Sequence, residues 1–174
     1  PPPLPKSFEY LYDQHFAFVW RNLRRLGVGP AALSDASQDV FLVVHRRLAS
    51  LDAAASPKAW LFAIVRRVAK DHRRRQQRKG KTESLPDEIA DDRTPYHALV
   101  ERRALATLLA VLATLDDKKR EVFVLAELEQ LPAPQIASAL GVGVNTVYSR
   151  LRSARAAFDR AVKRSQSSAQ NQAK

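Results

Sequence analysis

Apolar residues recur at spacings of three and four along most of the chain, the period of an amphipathic helix. Phe8, Leu11, Tyr12, His15, Val19 and Leu23 form a first stripe, which Ser7 can cap. A turn at Gly27–Pro30 separates it from a second stripe, Val40, Phe41, Val44 and Leu48. Ser56 followed by Pro57 is a cap and first-turn pair, opening a third helix with Leu61, Ile64, Val65 and Val68 inward. Further on, Leu105, Leu108, Leu109 and Leu112 mark another helix. Thr114 with Asp117 reads as a capping box for the next, through Val122, Phe123 and Leu125. No useful length alternates with period two, so the predicted fold is all-α.

Charge divides this helical chain. Residues 1–81 carry a net +10, residues 82–101 a net −5 and residues 102–174 a net +6. The acidic stretch, KTESLPDEIADDRTPYHA with its two prolines, has no sustained periodicity and reads as a linker. The expected organisation is therefore two small helical domains, 1–81 and 102–164. A flexible acidic joint at 82–101 connects them, and a polar disordered tail follows at 165–174. Such a joint spans about 50 Å when extended, enough to hold the units apart or to let one fold back on the other.

The stretch 131–158, LPAPQIASALGVGVNTVYSRLRSARAAF, is the most informative. A short helix with Ile136, Ala137 and Leu140 stops at Gly141, and a longer one starts near Val144. Val147, Leu151 and Ala154 would face the first helix, leaving Asn145, Thr146, Tyr148, Ser149 and Arg152 outward. That is a helix-turn-helix pattern, with side chains able to read bases in a major groove. Arg150 and Arg155, nearer the flanks, suit phosphate. The plain alternative is a helical hairpin with a solvated basic face.

A second basic surface lies on residues 57–79, where Arg66, Arg67, Lys70, Arg73, Arg74 and Arg75 continue beyond the apolar stripe. Duplex DNA carries a charge about every 1.7 Å, so a helix of this kind would release several counterions on binding. Trp60 can cap the core, support an unstacked base, or do both. In contrast, Asp35, Gln38 and Asp39 make an acidic and amide-bearing patch, suited to a basic protein partner or simply to a helix N-terminus.

Composition removes other functions. There is no cysteine, so disulfide scaffolds, thiol catalysis and cysteine-ligated zinc are excluded. His15, His45, His72 and His97 offer no helical metal pair, and no nucleophile–base pair stands out. Uncharged runs fall well short of a membrane span, and PPPLP resembles neither a signal peptide nor an anchor. A cytoplasmic, non-enzymatic protein without metal or cofactor is expected, with a net charge of +11 that points to nucleic acid.

The order of these segments resembles a bacterial RNA polymerase sigma factor of the small, two-domain extracytoplasmic-function group. The resemblance rests on 8–27, SDASQDVFLVVHRRL (34–48), PKAWLFAIVRRVAKDHRRRQQRK (57–79) and 112–155. It implies that the N-terminal unit docks on core polymerase and melts the −10 promoter element. Gln38, Asp39 and Phe41 would belong to the docking segment, with Asp39 making the polar contact, Phe41 mainly packing and Asp35 peripheral. The loop 48–56 would receive a flipped base, and Trp60, Arg66, Arg67, Lys70, Arg73 and Arg74 would hold the melted strand. The C-terminal unit would read the −35 duplex through Asn145, Thr146, Tyr148, Ser149, Arg150, Arg152 and Arg155. An anti-sigma factor is a further implied partner. Two departures stand out. The family's ARN-like run is VRR here, which makes Arg67 a phosphate clamp rather than a base reader. Gly143 and Asn145 replace the usual Ser and Gly around the recognition-helix start. Two other readings compete: a helix-turn-helix regulator that never docks on polymerase, and a sigma mimic that sequesters an inhibitor. The first leaves the second basic unit unexplained, and the second leaves both basic faces unexplained.

Overall fold

A computed structural model of the chain describes residues 7–51, 56–79 and 95–172. Helix α1 (Phe8–Arg25) starts where expected, the Ser7 hydroxyl accepting the Tyr10 amide at 3.2 Å. It ends in a turn at Gly27, whose φ of +89° is open to glycine without strain. Helix α2 (Leu33–Arg47) follows a single 3-10 turn, and α3 (Pro57–Lys79) opens at the Ser56–Pro57 pair. These helices enclose Leu11, Phe18, Val19, Leu23, Val40, Val44, Leu61, Phe62 and Val65, all nearly or fully removed from water.

The second unit comprises α4 (Pro95–Ala113), α5 (Asp117–Phe123) leading into one π-helical turn, α6 (Ala133–Leu140) and α7 (Val144–Gln172). Gly141 caps α6 in the left-handed conformation, φ +65°, which makes the sharp turn before α7. All regular structure among the described residues is helical.

Three local expectations differ from the structure. Helix α4 already begins at Pro95, inside the segment read as linker, while residues 82–94 lie outside the described residues. The cap of α5 is Asp116, which accepts the Lys119 amide at 2.9 Å; Thr114 instead donates to the Val111 carbonyl at 2.7 Å, at the end of α4. Finally, α7 continues as helix through Gln172 across the segment expected to be disordered. Buried Ala161 anchors its later turns, and no proline or glycine follows to stop it.

The two units share a hydrophobic core. Leu112, Leu115, Val122, Val124 and Leu125 are continuous with Val19, Leu23 and Val65, and α6 lies against α3. The chain has thus folded its second unit back onto its first. Arg120 joins them at the turn between α4 and α5. Its buried guanidinium donates to the carbonyls of Leu112 and Leu115, both at 2.8 Å, and of Ala113 at 3.2 Å. It also reaches the Leu26 carbonyl of the first unit at 3.3 Å. The orphan carbonyls ending two helices are thereby satisfied by one cation.

Candidate nucleic-acid interface

On α2, the acidic patch forms an exposed stripe. Asp35, Gln38 and Leu42 recur at helical spacing on the open side, with Asp39 beside them partly exposed. Asp39 is held from behind: His72 of α3, itself buried, places Nε2 2.8 Å from its Oδ2. One carboxylate oxygen is thus fixed, and Arg75 stands 4.0 Å away. Phe41 is only 4 % exposed, enclosed by Phe8, Tyr12 and Phe16, so it supports this surface from below. Its neighbour Leu42, 55 % exposed, is an apolar side chain on this stripe that sequence reasoning did not name. The helical period did hold the signal, since Leu42 falls on the Asp35–Gln38 stripe and Phe41 on the Val40–Val44 stripe.

Helix α3 carries the basic residues, but in two settings. Arg67, Lys70 and Arg74 are exposed. Trp60 is partly buried against the hydrophobic core. Arg66 and Arg73 are engaged by the second unit: Arg73 makes a two-pronged pair with Asp117, both distances 2.7 Å, and Arg66 lies 3.0 Å from Glu121. The hydrogen bond and charge of Arg73 keep the Asp117 carboxyl below the usual carboxylate range despite partial burial. Between α3 and α5 lies an open groove of about 780 Å³, bounded by Arg66, Arg67, Lys70 and Lys118 together with Asp116, Asp117 and Glu121. The sequence pointed to no pairing of Asp117 or Glu121 with α3, because nothing local links them to it.

The helix-turn-helix is formed by α6 and α7. Val147 and Ala154 are fully buried and Leu151 is half-buried, as their spacing requires. Asn145, Tyr148, Ser149 and Arg152 face outward, with Tyr148 57 % exposed, whereas Thr146 and Arg150 are partly covered. Arg155 is exposed and paired with Glu127 at 2.7 Å.

A third junction sits away from these basic residues. Glu129, whose side chain is 2 % exposed, accepts from Arg21 Nε and Nη2 at 2.7 Å, Asn22 Nδ2 at 3.1 Å and Arg25 Nη1 at 2.5 Å. Burial alone would raise its carboxyl, but the Arg21 hydrogen bonds, Asn22 and the Arg25 charge outweigh that and hold it below the usual range.

Among the described residues, no group of histidine and carboxylate side chains could hold a metal ion, and no helix is long and apolar enough to cross a membrane.

Comparison with known proteins agrees with both halves of this arrangement. Residues 11–79 match sigma-70 region 2, and residues 105–158 match sigma-70, region 4. The RNA polymerase sigma factor CnrH of Cupriavidus metallidurans is 30 % identical over 160 residues, covering 87 % of this chain and 84 % of CnrH. The ECF RNA polymerase sigma factor SigL of Mycobacterium tuberculosis is 31 % identical over 152 residues, covering 81 % and 80 %. The structure of CnrH in complex with the cytosolic domain of CnrY superposes with a TM-score of 0.68 at 25 % identity, over 90 % of this chain and 87 % of that one. RpoE of Bartonella quintana, solved with the anti-sigma factor NepR, shares the fold at a TM-score of 0.65 and 22 % identity, over 87 % of this chain and 96 % of that one. With a region 2 unit, a region 4 unit and relatives matched over most of their length, the chain belongs to the sigma-70 family of bacterial RNA polymerase sigma factors, in its non-catalytic, extracytoplasmic-function group.

Proposed function

We propose that the chain docks on core RNA polymerase through the exposed stripe of α2 and holds promoter DNA on two separate surfaces. Asp39, supported by Asp35 and Gln38, supplies the polar contact, and Leu42 supplies the apolar one. The α1–α3 unit takes the melted −10 strand on Arg66, Arg67, Lys70, Arg73 and Arg74, with Trp60 beside it. The α4–α7 unit, joined to it through the acidic segment, reads the −35 duplex with Asn145, Thr146, Tyr148, Ser149 and Arg152, while Arg150 and Arg155 grip phosphate. Binding energy, not a chemical step, keeps bases unstacked, which costs a few kcal/mol. An inhibitory protein partner is proposed from the relatives of this fold that were solved in complexes, RpoE with NepR and CnrH with the cytosolic domain of CnrY.

The observation that carries this reading is the coexistence on one chain of an acidic and apolar helix face, a basic face on α3 and the outward polar face of a helix-turn-helix. A helix-turn-helix regulator needs only the last of these. Reconstitution with core polymerase on a promoter library tests the proposal. Specific initiation that depends on the chain supports it. Duplex binding without association with core would assign the chain to the simple regulators instead.

A further inference from the structure

The two carboxylates of the α2 stripe are held differently. Asp35 is exposed, and no side chain among the described residues pairs with it. Asp39, one turn later, has its Oδ2 2.8 Å from Nε2 of His72, which comes from α3, 33 positions away. The His72 side chain is 9 % exposed and that of Asp39 44 %, so a buried ring holds a carboxylate that reaches the surface. A carboxylate only accepts, so Nε2 carries the proton and donates. Arg75, 4.0 Å from the same oxygen, is mostly exposed and adds little. Among the described residues, Oδ1 of Asp39 has no hydrogen-bond partner. Although Arg73 and Arg74 follow it on α3, His72 is buried and presents nothing to a DNA strand.

We propose that His72 is a positioning residue for polymerase docking, fixing Asp39 through Oδ2 and leaving Oδ1 to the partner. The inference rests on the assignment of the α2 stripe as the docking face. Two physical effects give the bond its value. The first is preorganisation: a tethered carboxylate has fewer rotamers to lose when the complex forms. The second is desolvation. Docking takes Asp39 out of water, and an inward oxygen without a donor would then be an unpaired charged acceptor, which is expensive. His72 supplies a donor that is already in place before docking and remains after it. Helix α3 therefore serves two surfaces, holding a strand with its exposed cations and supporting the docking carboxylate of α2 with one buried ring. Asp35 has no such support, which suits it to the edge of the contact.

The test titrates the full chain onto immobilised core polymerase, with circular dichroism and urea melts to establish that each variant is folded. His72→Phe keeps a ring but removes the donor, and docking should weaken about two- to tenfold. His72→Asn, whose amide falls one bond short of Asp39, should do the same; it stands in if the phenyl ring disturbs the core. His72→Gln places its Nε2 as many bonds from the backbone as the histidine Nε2, so it should dock within about twofold of the natural chain. In an Asp39→Ala background, His72→Phe and His72→Asn should cause no further loss, because the carboxylate they would misplace is gone. An equal loss in both backgrounds would show that His72 only holds the fold together, and would overturn the assignment. A loss with His72→Gln as large as with His72→Phe would do so too, since the donor would not be what matters. If Asp39→Ala weakens docking while His72→Phe and His72→Asn do not, the docking face stands and the role of His72 falls. If Asp39→Ala itself has no effect, the docking face is wrong, and the role of His72 falls with it.

Discussion

Removing the charge of Glu129 is the sharpest perturbation of the contact between the two units. Glu129→Gln keeps the shape but retains one oxygen acceptor and leaves Arg21 and Arg25 facing an amide. Breaking a buried ion pair from one side costs about 3–5 kcal/mol. Here the carboxylate is enclosed, but the Arg21 side chain is 41 % exposed and Arg25 17 %, so water recovers part of the loss. Asn22 also keeps a second acceptor, the Phe18 carbonyl at 2.8 Å. The expected cost is about 2–3 kcal/mol, a large share of the roughly 5–15 kcal/mol that stabilises a domain. Urea unfolding followed by circular dichroism measures it, and an Arg25→Met cycle isolates the pairwise part, expected at about 1–2 kcal/mol. The Glu129 carboxyl is held low in the fold, so its stabilisation is complete above the ordinary carboxylate range and disappears as pH falls through the folded value. The variant should therefore lose the corresponding part of the acid sensitivity. A change below about 0.5 kcal/mol, or an undiminished change in an Arg21→Met/Arg25→Met background, would refute the argument.

Four further outcomes are expected. Asp39→Arg should weaken association with core polymerase in a pull-down, by up to several kcal/mol, while duplex binding by the same chain is unaffected. Arg152→Ala should change the ranking of −35 sequences by about 1–3 kcal/mol if it reads guanine, whereas Arg155→Ala should weaken all sequences alike and lower the salt slope by about one, as affinities over a duplex panel will report. Gly27→Ala forces a left-handed side-chain residue and brings its Cβ to 3.1 Å from both Arg120 Nη1 and Arg73 Cδ; a stability loss of about 1–2 kcal/mol in thermal or urea melts is expected. Burial first, then the Lys58 and Arg21 charges, lower the His15 pKa, so its stabilising effect is present above the ordinary histidine value and falls as pH drops below it. The thermal midpoint should decline as pH falls below about 6.5, and less steeply in His15→Gln.

What the sequence determined by itself is local. Ser7, Ser56–Pro57 and Gly141 mark helix ends because capping depends on residues within one turn, and Val147 and Ala154 face inward because a helix repeats every 3.6 residues. Long-range charge segregation was legible in the same way, as composition. The same local logic erred where two signals compete, as when Asp116 displaced Thr114 as the cap of α5, or where a boundary fell inside an unpatterned stretch, as at Pro95. The tertiary structure alone decided which charges meet. Arg21 and Glu129 are 108 residues apart, Arg73 and Asp117 44, and Asp39 and His72 33. No helical period links such pairs. The first two depend on how the second unit packs against the first, and the third on how α2 packs against α3. Asp117 and Glu121 therefore look like ordinary solvated acids in the sequence, and only the packing of the two units turns them toward the arginines of the proposed strand-holding face.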